Sequence, residues 1–159
     1  MFSLVRVDDR LVHGQVVMYW TKVRKGDGII LVMDDEMYKD DFIKTVFKST
    51  GKQLGLRVLI FNFEQALRKV PEAMASDKQY YLITKSISML RRLKEAGIDF
   101  GNEIICGNTS NRPDTKRMYN NVYFTDQEIE DGKYLRDQGI DIEFQLTPND
   151  TQLAFDKAL

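Results

Sequence analysis

Five short apolar runs recur at intervals of about 25 residues: FSLVRV at 2–7, GIILVM at 28–33, LRVLIF at 56–61, QYYLIT at 79–84 and NEIICG at 102–107. Their length and composition predict strands. Several are apolar without interruption, and such a strand needs both faces of its sheet covered, as in parallel sheets flanked by helices. Two further candidates, NNVYF near 122 and IDIEFQL near 143, follow toward the C-terminus.

The intervening segments carry helical spacing and recognisable ends. In SISMLRRLKEAG, Ile87, Leu90 and Leu93 share a face, Ser86 stands where a cap is needed, and Gly97 offers a left-handed stop. Thr125 with Glu128 has the spacing of a capping box ahead of a helix that stops at Gly139, and Asn62 with Gln65 has the same spacing before ALRKV. The first helix, from about Gln15, puts Val16, Trp20 and Val23 on one face. Strand and helix thus alternate about five times, which predicts an α/β fold: a single domain over 1–159, built on a mostly parallel sheet of about six to seven strands with helices on both faces. Phe42, Phe47 and Tyr81 are expected in the core, and KRMYNN at 116–121 as a loop.

Several function classes are disfavoured. The 23 basic and 24 acidic residues cancel, so the chain lacks the basic excess that phosphate backbones select, and no nucleic-acid partner is expected. The N-terminus meets charge too early for a signal peptide, and no apolar run approaches a membrane span, so the expected location is the cytoplasm. One cysteine, Cys106, and one histidine, His13, make neither a disulfide framework nor a structural zinc site.

In sheets of this kind ligands gather at the carboxyl ends of strands. The stretches to inspect are Asp8 to Gly14, Asp34 to Glu36, Asn62, Lys85, and Gly107 to Asn111. The only imidazole lies in the first of them, within VDDRLVHGQVV. A neutral imidazole is a competent nucleophile near pH 7 and can accept a phosphoryl group. Arg10 or Arg6 can meet phosphoryl oxygens two at a time, and backbone amides from Gly14 or Gln15 add a positive helix end. Asp8 or Asp9 can hold a ring proton and so present the other nitrogen. The same residues also fit an ordinary surface loop with a local ion pair.

The run VRVDDRLVHGQVVMYW resembles the N-terminal signature of the IIB components of the mannose/fructose/sorbose family of the phosphoenolpyruvate-dependent sugar phosphotransferase system, Arg-x-Asp-x-Arg-Leu-x-His-Gly-Gln. Arg6, Asp8, Arg10, Leu11, His13, Gly14 and Gln15 fill its fixed positions. ILVMDDEM, ICGNTS, VYFTDQEI and FQLTPND extend the likeness along nearly the whole chain. It departs from the family pattern at Cys106, at Thr109 and at the LTP of the last motif. The resemblance implies a cytoplasmic protein-N(pi)-phosphohistidine-sugar phosphotransferase, associated peripherally with its membrane transporter. His13 would accept a phosphoryl group from a IIA partner, with Nδ1 as the bonded atom, and pass it to a sugar taken up through IIC and IID membrane subunits. Arg6, Asp8 and Arg10 would flank the imidazole, and the sheet would be parallel except at one edge.

Further expectations attach to the remaining loop residues. Asp9, Gly14 and Gln15 are expected near the phosphate, Asp35 in a structural or outer role, and Gly107 with Asn108 in a tight turn that brings backbone close to it. Transfer between histidines is managed by arginines and amides, so neither metal nor cofactor is expected despite the acidic Asp34, Asp35 and Glu36. Cys106, inside an apolar run, is expected to be buried and inert. Helix faces rich in Met and aromatic residues allow a homodimer. A binding or regulatory module on the same fold, without turnover, is the alternative. A histidine phosphatase is disfavoured because Val12, not arginine, precedes His13.

Overall fold

The strand Gly28–Met33 shows how the sheet sorts the chain into two cores. Successive side chains of a strand point to opposite faces. Ile30 and Val32 join Val5, Val7, Leu82 and Ile104 on one side, while Ile29, Leu31 and Met33 join Leu4, Tyr81, Ile83 and Ile105 on the other. Each fully buried aliphatic side chain contributes about 1.5–3 kcal/mol relative to exposure, so a strand apolar on both faces is stable only between two covering layers.

The computed structural model describes residues 2–159. In chain order the elements are β1 (Phe2–Asp8), α1 (Gly14–Thr21), β2 (Gly28–Met33), α2 (Asp35–Tyr38), α3 (Asp41–Gln53), β3 (Arg57–Asn62), α4 (Phe63–Ala75) and β4 (Tyr80–Thr84). There follow α5 (Ile87–Glu95), β5 (Glu103–Asn108), β6 (Thr115–Tyr119), β7 (Val122–Thr125), α6 (Asp126–Asp137), β8 (Asp141–Phe144), β9 (Leu153–Ala154) and α7 (Phe155–Ala158). Seven strands form one sheet in the order β3-β2-β4-β1-β5-β8-β9. Every pairing in it is parallel except β8 with β9, which makes the antiparallel edge. No helix of the described residues is long and apolar enough to cross a membrane.

The helix ends follow the sequence signals. Ser86 caps α5 by accepting from the Met89 amide at 3.3 Å, and both expected capping boxes form, Asn62 with Gln65 and Thr125 with Glu128. Gly97 and Gly139 take the left-handed conformation with φ of 86° and 84°. Four local expectations need correction. Residues 116–121 are not a loop: Thr115–Tyr119 pairs with β7 around the two-residue turn Asn120–Asn121, as a separate ribbon whose Lys116 and Arg117 face solvent and so hide its strand character. The NNVYF strand therefore lies outside the main sheet. Helix α1 stops at Thr21, leaving Val23 exposed, and Phe42, expected in the core, is 77% exposed on the first turn of α3.

The layering fixes where a ligand can sit. Val16, Val17 and Trp20 of α1 pack on one face of the sheet, whereas Ile87, Leu90 and Leu93 of α5 pack on the other. Strands β1 and β4 are neighbours, yet the chain leaves β1 toward α1 and β4 toward α5. The carboxyl ends of β1 and β4 therefore flank the topological switch point, where loops part and a crevice opens.

Candidate functional site

Arg6, on β1, starts the site from below. It is 1% exposed, on the face covered by α1, with Cζ 5.7 Å from the Trp20 ring. Its Nη1 donates to the Gln145 carbonyl at 3.2 Å and its Nη2 to Asp8 Oδ2 at 3.2 Å. Burial pushes the Arg6 guanidinium below its ordinary pKa, against the opposing pull of Asp8. Room for the guanidinium comes from Gly107, because a Cβ added there would fall inside it.

Asp8 passes this order upward. Its carboxylate, 1% exposed, also accepts from the Arg10 backbone N–H at 3.0 Å, Arg10 Nε at 3.1 Å and Arg10 Nη2 at 3.0 Å. The Nε–Nη2 edge of Arg10 is thereby fixed, while Nη1 has no partner among the described residues and the side chain remains 35% exposed. Asp9 turns the other way, accepting from Asn108 Nδ2 at 2.8 Å and from Ser110 N and Oγ at 2.6 Å each. A turn from the Asp8 carbonyl to the Leu11 amide, 2.9 Å, closes the loop. Leu11 holds a φ of 57°, a left-handed conformation unfavourable for leucine, which its 1%-exposed side chain secures by packing in the α1-side core.

His13 is the N-cap residue of α1: its carbonyl accepts from the Val17 amide at 3.0 Å. No side chain caps the first turn and no acidic residue lies in it, so the positive end of α1 is presented beside the imidazole. The ring is half-buried and makes no hydrogen bond among the described residues; Nδ1 is enclosed without a partner, and Nε2 retains contact with solvent. Gly14 has a negative φ and would meet only Thr50 Cγ2, at 3.4 Å, if given a Cβ, so the fold alone does not demand glycine there.

Comparison with known proteins adds a decisive match: the family model described as PTS system sorbose subfamily IIB component aligns with residues 2–159. The chain belongs to this family. It is 30% identical over 147 residues to the N-acetylgalactosamine-specific phosphotransferase enzyme IIB component 1 of Escherichia coli, covering 92% of this chain and 91% of the relative. The sorbose-specific EIIB component of Klebsiella pneumoniae is 27% identical over 149 residues, covering 93% and 88%. Among solved structures, the E. coli N-acetylgalactosamine-specific IIB component 1 superimposes with a TM-score of 0.87 at 28% identity, over 96% of this chain and 97% of that one. The IIB domain of the K. pneumoniae sorbose permease gives 0.89 at 21% identity, over 99% and 95%.

This IIB component is thus a phosphocarrier of sugar uptake, from a family that works with IIA and IIC/IID partners. Its structure relocates several residues expected at the phosphate. Arg6, expected to meet phosphoryl oxygens, lies in the interior, 1% exposed, with its guanidinium on Asp8 and on the Gln145 carbonyl. Among the described residues Asp8 makes no bond to the imidazole, and its partners are all arginine N–H groups. Gly107 and Asn108 are the last residues of β5 rather than a tight turn, with Gly107 clearing space for Arg6 and Asn108 bonding Asp9. Asp35 is exposed in the first turn of α2, whose cap is Asp34, accepting from the Met37 amide at 2.8 Å. Gln15 is exposed and donates to the Tyr19 hydroxyl at 3.1 Å.

Two participants escaped sequence reasoning. Gln145 and Trp20 secure the loop from beneath, Gln145 through the carbonyl that Arg6 meets and Trp20 through its ring and a 3.1 Å bond from Nε1 to the Leu146 carbonyl. They are 125 residues apart, and only the fold brings them together. Cys106 is fully buried on β5, and burial pushes its thiol far above the ordinary range. Iodoacetamide at pH 8 is therefore expected to leave Cys106 unmodified in the native protein and to alkylate it after denaturation; rapid labelling of the native form would contradict this placement.

Proposed function

We propose that His13 carries the phosphoryl group of this IIB component, received from a phosphohistidine on IIA and delivered to a sugar held by IIC and IID at the cytoplasmic face of the membrane. The carrying observation is the imidazole at the switch point, on the uncapped start of α1, with the Arg10 guanidinium fixed nearby by the buried Asp8. In the first step a ring nitrogen of His13 donates its lone pair to phosphorus as the donor's N–P bond breaks, that pair returning to the donor imidazole. In the second, a sugar hydroxyl oxygen attacks phosphorus, the His13 N–P bond breaks with its pair returning to the ring, and the hydroxyl proton leaves to a base or solvent. Arg10 Nη1 and the amides of the first turn of α1 face the three phosphoryl oxygens, whose charge is greatest as the group passes.

Attack through Nδ1, the nitrogen the resemblance implies, requires a turn of the ring about Cβ–Cγ. Because Nδ1 has no hydrogen-bond partner, that turn breaks none. The relative at 30% identity is N-acetylgalactosamine-specific by name, which makes that sugar the first acceptor to test and sorbose the second.

The test supplies phosphoenolpyruvate, the general phosphotransferase proteins and IIA, then membranes bearing IIC and IID with labelled sugar. Acid-labile phosphate on the protein followed by sugar phosphate supports the reading, whereas saturable ligand binding with no phosphate uptake favours a binding module. Arg10→Ala is expected to slow transfer from phosphorylated IIA by ~10² to 10³, the usual cost of removing one oriented donor to a developing anion. Single-turnover transfer at the wild-type rate would remove Arg10 from the site.

A further inference from the structure

We propose that Lys85 is a further catalytic residue, its ammonium contacting the phosphoryl oxygens from the β4 side of the crevice while Arg10 contacts them from the β1 side. This inference rests on the reading of His13 as the carrier. It starts from the strand register: Val7 pairs with Thr84 on neighbouring parallel strands about 5 Å apart, and Asp8 and Lys85 are the next residues along each chain. They flank the switch point, from which the chain runs to opposite faces of the sheet. A cavity of about 240 Å³ opens beside it, on the side to which Asp9 turns, and its lining brings Asp9 of the His13 loop together with Asp34 after β2 and Lys85 with Ser86 of the β4 loop.

The other charged side chains lining this crevice have partners: Asp34 accepts from the Met37 amide at 2.8 Å. Asp9 is held by Asn108 and Ser110, and Arg112 donates to Glu128 at 2.9 Å and to the carbonyls of Ser110 and Tyr123. Lys85 is exposed and has no hydrogen bond or ion pair among the described residues. Immediately after it begins α5, a nine-residue helix whose positive end faces the same rim.

Electrostatics supplies the need. The formal charges of Arg6, Asp8, Asp9 and Arg10 cancel, so the loop has no net charge to offer a phosphoryl dianion. The start of α1 gives only a partial charge, roughly half a unit. An exposed, uncommitted ammonium across the crevice answers that deficit without disturbing the Asp8–Arg10 pair. An ammonium serves as a point charge and needs no fixed plane, which suits a group that must be gripped and then released.

The experiment compares Lys85→Met and Lys85→Arg with the wild type, measuring single-turnover transfer from phosphorylated IIA and the equilibrium division of phosphate between IIA and this chain. Since Lys85 is exposed and unbonded, thermal unfolding of both variants is expected to match the wild type. The expected result is a ten- to hundredfold slower transfer by Lys85→Met, an equilibrium shifted toward phosphorylated IIA, and substantial recovery in Lys85→Arg. Wild-type rate and equilibrium in Lys85→Met would overturn the role of Lys85 while leaving His13 as the carrier. A wild-type protein that takes up no phosphate from IIA would overturn the reading beneath it.

Discussion

His13→Ala protein is expected to take up no acid-labile phosphate from phosphorylated IIA and to support no sugar phosphorylation above background. The imidazole is the only one in the chain, and no other group at the switch point offers a comparable nucleophile near pH 7. Cys106, the other nucleophile that phosphotransfer chemistry could use, is fully buried on β5 with its thiol held protonated. The His13 side chain forms no hydrogen bond, so its loss is expected to leave the unfolding temperature within a few degrees of the wild type. Folded protein with no transfer separates a chemical role from a structural one. Labelled phosphate on the folded variant would mean that the carrier is another residue.

The second large effect falls on stability. Arg6→Met removes one partner of a buried ion pair, strands the Gln145 carbonyl and leaves Asp8 with Arg10 alone. Breaking such pairs costs ~3–5 kcal/mol, and because Asp8 keeps three bonds from Arg10 the expected loss is about 3 kcal/mol. With the urea dependence usual for a domain of this size, the unfolding midpoint falls by roughly 1–2 M. Gly107→Ala acts on the same contact from the other side, since its methyl occupies the space of the Arg6 guanidinium. Both charges survive in that variant, yet the guanidinium is forced away from Asp8, so stability and transfer rate are expected to fall together. A wild-type urea midpoint in both variants would show that the Arg6–Asp8 contact does not secure the loop.

Much of this architecture was readable because the relevant signals are local. Continuous apolar runs such as GIILVM can be satisfied only between two layers, and caps such as Ser86, Asn62 and Thr125 act within three residues of themselves. The position of His13 between the first strand and helix followed from the same periodicity. Less readable were features set by partners far along the chain. Arg6 and Arg10 are equally basic in sequence, but β1 turns Arg6 beneath α1 while Arg10 lies beyond the strand in a loop that reaches solvent. Gly107 has a turn-like neighbour in Asn108, and only the packing reveals that its missing side chain accommodates Arg6. Phe42 carries no mark of exposure in its residue type, and the ribbon Thr115–Tyr119 hides its strand in the solvated pattern of a two-stranded hairpin.

On the proposed reading, the Asp8–Arg10 pairing also accounts for the acidic residues of VDDR beside a phosphoryl anion. Asp8 is consumed by four donated hydrogen bonds and Asp9 by Asn108 and Ser110. Each carboxylate is occupied in shaping the loop, which leaves Arg10 Nη1 and the first-turn amides of α1 without side-chain partners among the described residues.

The most direct measurement is to locate the phosphate on wild-type protein after incubation with phosphoenolpyruvate, the general phosphotransferase proteins and IIA, by proteolysis and mass spectrometry kept above pH 8 to preserve phosphoramidate bonds. The account predicts a single phosphate in the peptide containing Asp8 to Val17, on His13. Phosphate on any other residue, or a fully folded protein that acquires none from competent IIA, would contradict it.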